Sequence, residues 1–121
     1  MILPGTCDPF MPKSLRATAG SIFNLPVIFS ETEDMTGWLK KRSISLIVTD
    51  RDADKSIFNS DLQGPLALVF GNEAQGVSQR LRDTADILLR IPIIGRAESL
   101  NVAASAAICL YEPVRQRTMP S

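Results

Sequence analysis

Two short apolar segments constrain this chain more than any other feature. Residues 44–49 (Ile-Ser-Leu-Ile-Val-Thr) and 66–70 (Leu-Ala-Leu-Val-Phe) are rich in aliphatic and β-branched residues and are bounded by turn or loop residues. Runs of that length and composition read as strands buried on both faces, which is what a parallel sheet requires. Residues 26–29 and 87–91 read as weaker strands, and Ile2-Leu3 looks like the end of another. Helical patterns fall between them. Residues 12–23 open on Pro12 and set Leu15, Ala19, Ile22 and Phe23 on one face. Residues 33–42 set Met35, Trp38 and Leu39 on one face, with Lys40, Lys41 and Arg42 near the end, where cations suit the helix dipole. Residues 78–84 make a short helix capped by Ser78. Residues 100–117 make the last helix, apolar nearly all round from Val102 to Tyr111, which implies burial on several sides; Pro113 is expected to kink or stop it. Strands alternating with helices predict an α/β fold with a mostly parallel sheet flanked by helices.

Length and composition narrow the chemistry. A chain of 121 residues has room for one domain, 1–121, around one core. Its 45% apolar and 21% charged residues are an ordinary globular balance. No apolar run is long enough to span a membrane, and the first residues lack the pattern of a signal peptide, so a cytoplasmic chain is expected. Thirteen basic and thirteen acidic residues cancel, although residues 79–121 carry six Arg against four acids. Any nucleic-acid contact is therefore a local patch, not a polybasic surface. The absence of His excludes Ser-His-Asp and Cys-His catalysis and His-based metal sites. Cys7 and Cys109 make no metal-binding spacing. No metal is expected.

Three segments could carry chemistry. Gly71-Asn72-Glu73-Ala74-Gln75-Gly76-Val77-Ser78 follows a strand directly, at the end where parallel sheets bind ligands. It lacks the Gly-Lys-Ser/Thr ending of a phosphate loop, and a structural turn with a helix cap is the alternative reading. Ile91-Pro92-Ile93 leads through a loop to Ser99-Leu100-Asn101-Val102, where backbone amides at a helix start offer donors to a polar ligand, or Ser99 or Asn101 is simply the N-cap. Gly5-Thr6-Cys7-Asp8-Pro9-Phe10 reads as a turn leading into the helix that carries Arg16, which is either a phosphate contact or a solvated side chain.

In this order the segments resemble the SPOUT superfamily of methyltransferases, in its SpoU/TrmH branch of RNA ribose 2′-O-methyltransferases. Phe70-Gly71-Asn72-Glu73-Ala74-Gln75-Gly76 is similar to the second motif of that family, and Ile91-Pro92-Ile93 with Ser99-Leu100-Asn101-Val102-Ala103 to the third. The resemblance implies an α/β knot with a C-terminal trefoil, S-adenosylmethionine as cofactor, and an rRNA or tRNA substrate. It implies cofactor contacts at Gly71, Ile91 and Leu100, with Thr49 as a further candidate. It sets Glu73, Ser99 and Asn101 at positions that support catalysis. A homodimer through the C-terminal helix is implied as well. The family's first motif, with its Arg, normally precedes the segment at Gly5, so the resemblance implies a chain that begins after the first βα unit. A catalytically silent RNA-binding or dimerisation module is the alternative.

Overall fold

A computed structural model describes residues 1–72 and 75–119. It divides into two compact units, Met1–Gly37 and Trp38 onward, with the division inside one helix.

In the first unit, Ile2 pairs in parallel with Phe29. Ile2 N donates to the Ile28 carbonyl at 2.7 Å, and Ser30 N to that of Ile2 at 3.0 Å. The expected strand at 26–29 is thus a single bridge. Helix α1 (Pro12–Ala17) starts at Pro12, as the sequence suggests, but the helix expected over 12–23 ends early. Ala19 and Gly20 both adopt left-handed torsions, φ +50° and +85°. Two such residues in succession cannot continue a right-handed helix. A 3-10 turn, Ser21–Asn24, follows, and Phe23 is exposed instead of sharing a buried face. Helix α2 (Thr32–Lys41) carries Glu33 and Asp34 in its first turn and Lys40 and Lys41 in its last, the arrangement its dipole favours. Met35 and Leu39 are buried, but Trp38 is half-exposed, its ring 4.2 Å from the Arg42 guanidinium.

Among the described residues the second unit is built on four parallel strands. They are β1 (Ser45–Thr49), β2 (Lys55–Ser56), β3 (Leu66–Val69) and β4 (Ile87–Arg90), in the order β2-β4-β1-β3. Strand β1 lies inside the sheet, which accounts for its burial: Leu46, Ile47 and Val48 are each at most 3% exposed. Ile47, Ile57, Leu62, Leu89 and Cys109 form the core cluster, with Leu66, Leu68, Phe70, Ile87 and Ile91 packed against it. Each fully buried aliphatic side chain there contributes about 1.5–3 kcal/mol. Asp86 registers the sheet at its start: its carboxylate accepts from Leu46 N at 2.7 Å, and its N donates back to the Leu46 carbonyl at 2.8 Å. Helix α3 (Gln79–Thr84) is capped by Ser78, as expected.

Helix α4 (Val102–Thr118) departs from the sequence reading twice. Of the kink or stop expected at Pro113, the stop does not occur: Pro113 lies inside the helix and is buried. Pro removes a helical hydrogen bond, a loss of roughly 3 kcal/mol. The turn beyond it is tied to the rest of the unit by side-chain bonds to backbone. Gln116 accepts from Leu62 N at 2.8 Å and donates to the Ser60 carbonyl at 2.9 Å, while Arg117 donates to the carbonyls of Gln63 and Gly64. The second departure is burial. Only Cys109, Glu112 and Pro113 are buried along the helix, whereas Leu110, Tyr111 and Val114 are exposed on the opposite face. Among the described residues no helix is long and apolar enough to cross a membrane, and no group of His, Cys, Asp or Glu is placed to hold a metal ion.

Candidate functional site

In a parallel sheet the strand ends that carry the outgoing loops lie on one edge, where backbone groups no longer pair within the sheet. Here β1 runs into residues 50–52, and β3 into Phe70 and Gly71. Between those loops and the start of α4 lies a cleft of about 380 Å³, within the usual size range for a small-molecule site. Thr49, Gly71, Ser99 and Leu100 line it, together with Asp50, Arg82 and Ser105.

The walls are shaped by local bonds. Thr49 Oγ1 donates to the Val69 carbonyl at 3.1 Å and ties the ends of β1 and β3 together. The loop after β3 closes on itself: Asn72 and Gly76 form an antiparallel bridge, Gly76 N donates to the Asn72 carbonyl at 2.9 Å, and Gln75 N donates to Asn72 Oδ1 at 2.6 Å. Gly71 permits this closure. A Cβ on it would lie 2.1 Å from the Gly76 carbonyl carbon and 2.3 Å from Val77 N. Ser78 then caps α3, accepting from Leu81 N.

Asp50 is held by both of its carboxylate oxygens. Its Oδ1 accepts from Asp52 N at 2.9 Å, and its Oδ2 accepts from the Arg82 guanidinium. Its side chain is 9% exposed, that of Arg82 36%. The neighbouring Arg51–Asp52 pair, 3.8 Å apart, is largely in solvent and contributes little.

The profile of the SpoU rRNA Methylase family matches residues 1–111. The chain belongs to the SpoU rRNA methylase family. Among SpoU relatives, the chain is 38% identical over 116 residues to the 23S rRNA (uridine(2479)-2′-O)-methyltransferase of Streptomyces viridochromogenes, covering 91% of this chain and 40% of the relative. It is 43% identical over 103 residues to the 23S rRNA (guanosine-2′-O-)-methyltransferase RlmB of Pectobacterium atrosepticum, covering 84% and 42%. The SpoU methyltransferase AviRb from Streptomyces viridochromogenes, crystallised in complex with AdoMet, superposes with a TM-score of 0.90 at 36% identity, over 97% of this chain and 49% of that one. The AdoMet-bound rRNA methyltransferase from Sinorhizobium meliloti does so with a TM-score of 0.88 at 34% identity, over 98% and 45%. The chain thus spans less than half the length of these relatives.

Of the site residues expected from the sequence, Thr49, Gly71, Ser99 and Leu100 come together around the cleft. Ile91 does not line it; it is half-buried against the core cluster beyond β4. Asn101 caps α4, its Oδ1 accepting from Ala104 N at 2.7 Å. Glu73 lies outside the described residues. Asp50, Arg82 and Ser105 were not singled out by motif. The position of Asp50, directly after a buried parallel strand, was the available signal for it; Arg82 and Ser105 carry none, because their placement depends on tertiary packing.

Proposed function

We propose that this chain is the cofactor-holding part of an S-adenosylmethionine-dependent RNA ribose 2′-O-methyltransferase, acting on rRNA or tRNA. The observation that carries the reading is the convergence of Thr49, Gly71, Ser99 and Leu100, drawn from three separate segments, on one cleft at the sheet's ligand-binding edge.

The lining suits the group. S-adenosylmethionine presents a flat apolar ring, ribose hydroxyls and a charged amino-acid end. Leu100 and Val102 offer apolar surface, and the hydroxyls of Thr49, Ser99 and Ser105 offer polar contacts. When bound, the cofactor supplies an electrophilic methyl on a sulfonium. The chain's part is alignment, since an in-line displacement gains most from fixed geometry. In this reading Leu100 and the backbone at Gly71 hold the ligand. Ser99 Oγ orients the acceptor hydroxyl, Asn101 holds the start of α4 in place through its cap, and Glu73 has a supporting part in catalysis. The C-terminal knot, a cytoplasmic location and a homodimer through the exposed face of α4 belong to the same reading.

Calorimetry with S-adenosylhomocysteine tests it. One site per chain is the expected result; no binding by a folded sample refutes the reading. Binding without methyl transfer to bulk RNA would favour the silent RNA-binding module.

A further inference from the structure

We propose that Asp50 and Arg82 are positioning residues: their ion pair clamps the two loop walls of the cleft at a fixed spacing, and ligand affinity depends on that spacing. The inference rests on the cofactor reading above for the identity of the ligand, but the clamp itself stands on geometry.

One wall is the turn after β1. Asp50 anchors it from three directions. Its N donates to the Leu89 carbonyl at 2.8 Å, its carbonyl accepts from Ala53 N at 3.2 Å, and its Oδ1 accepts from Asp52 N at 2.9 Å. The other wall is the closed loop after β3, which runs directly into α3. That helix has six residues and buries one side chain, Leu81. With one buried side chain of its own, its position depends in part on polar bonds to the rest of the unit. Arg82 makes one, reaching from α3 to Asp50 Oδ2 at the cleft.

The chemistry favours a clamp over a ligand contact for Asp50. Both its carboxylate oxygens already accept from protein donors, and the side chain is 9% exposed. Removing the guanidinium would leave a nearly buried carboxylate short of a partner, which drives the loop to rearrange toward water. A charge-assisted bond of this kind, discounted for the exposure of Arg82, corresponds to about tenfold in an equilibrium constant.

The test compares wild type with Arg82→Gln, Arg82→Lys and Asp50→Asn at a temperature where circular dichroism shows each folded. Hydrogen exchange is read without ligand over residues 75–84, and calorimetry measures S-adenosylhomocysteine affinity. The clamp predicts faster exchange over that segment and affinity weaker by about tenfold in Arg82→Gln, with Arg82→Lys recovering most of both. If Arg82→Gln does not fold, Asp50→Asn carries the same expectation. Affinity and exchange within about twofold of wild type in a folded variant overturn the clamp. So does a lowered melting temperature with affinity unchanged, which is the signature of a merely structural pair. If wild type itself does not bind, the cofactor reading and the link to affinity both fail, and exchange decides only the fixed spacing: unchanged exchange overturns it and faster exchange sustains it.

Discussion

Gly71→Ala should unfold this protein more easily before any ligand is considered. The φ angle of Gly71 is not among the positive ones, so its backbone conformation is open to any residue and space alone is at stake. A Cβ there would meet the Gly76 carbonyl carbon at 2.1 Å, Val77 N at 2.3 Å and the Gly76 oxygen at 2.4 Å. All three are backbone atoms, so no side chain can swing away. Separating the strands of the loop by the required ångström would stretch the Gly76 N to Asn72 carbonyl bond, now 2.9 Å. Forcing a methyl into a closed contact costs about 1–3 kcal/mol, and the middle of that range, about 2 kcal/mol, is taken for this case. For a chain of this size that corresponds to a fall of roughly 8 °C in the melting midpoint. Calorimetric melting of ligand-free wild type and Gly71→Ala reads it directly. A variant that melts within about 2 °C of wild type yet no longer binds S-adenosylhomocysteine would refute the reasoning, because the missing side chain would then serve the ligand and not the loop.

The acid limb of stability should report Glu112. Hydrogen bonds from Arg115 and Gln116 hold its carboxyl down at about 2, against an ordinary 4.5. The lowered folded-state value means its contribution is present above pH 4.5 and is lost as pH falls toward about 2. The stability difference between wild type and Glu112→Gln, measured by urea unfolding, should therefore shrink across that window; a difference constant with pH refutes this. Burial pushes the Cys109 thiol up to about 11, whereas Cys7 is exposed. A thiol-disulfide reagent at pH 8 should titrate Cys7 at once and Cys109 only after denaturation, and immediate reaction of both would contradict the buried assignment. Leu110 lies on the exposed face of α4 at 57% exposure. If that face joins two copies, Leu110→Glu should convert a dimer to a monomer in sedimentation velocity, and a monomeric wild type at high micromolar concentration refutes the interface.

The sheet was legible because its strands are buried on both faces. Residues 44–49 and 66–70 stand as β1 and β3 within a residue at each end, since continuous apolar runs of that length have few other solutions. Strand β2 was not legible. Two residues, Lys55 and Ser56, carry no pattern, and their pairing with β4 is set by tertiary contacts, including the Arg90 guanidinium on the carbonyls of Ala53 and Asp54. The helix expected over 12–23 failed at Ala19, because apolar spacing says nothing about a left-handed turn at a residue other than Gly. At Pro113 the stop that the sequence allowed did not occur. A breaker inside a helix is a local rule, and here side-chain bonds from Gln116 and Arg117 to a distant loop hold the following turn in place.

The cleft shows the same division between local and non-local information. Its loop residues could be named from sequence because motifs mark where a parallel strand releases its chain, as at Thr49 and Gly71. The reason for a residue type could not. Gly71 belongs to a ligand-type loop by sequence, yet what its missing side chain most directly accommodates is the backbone of Gly76 and Val77. Asn101 was open between a cap and a functional amide, and its Oδ1 is committed to Ala104 N. Arg82 had no motif at all, and its place at the cleft follows from a carboxylate 32 residues away in the chain. Residues that shape a site by holding its walls need only be right in three dimensions, so their sequence neighbours carry no trace of the task. A substitution scan restricted to motif residues would pass over Asp50 and Arg82, whose ion pair joins the turn after β1 to α3 at the cleft.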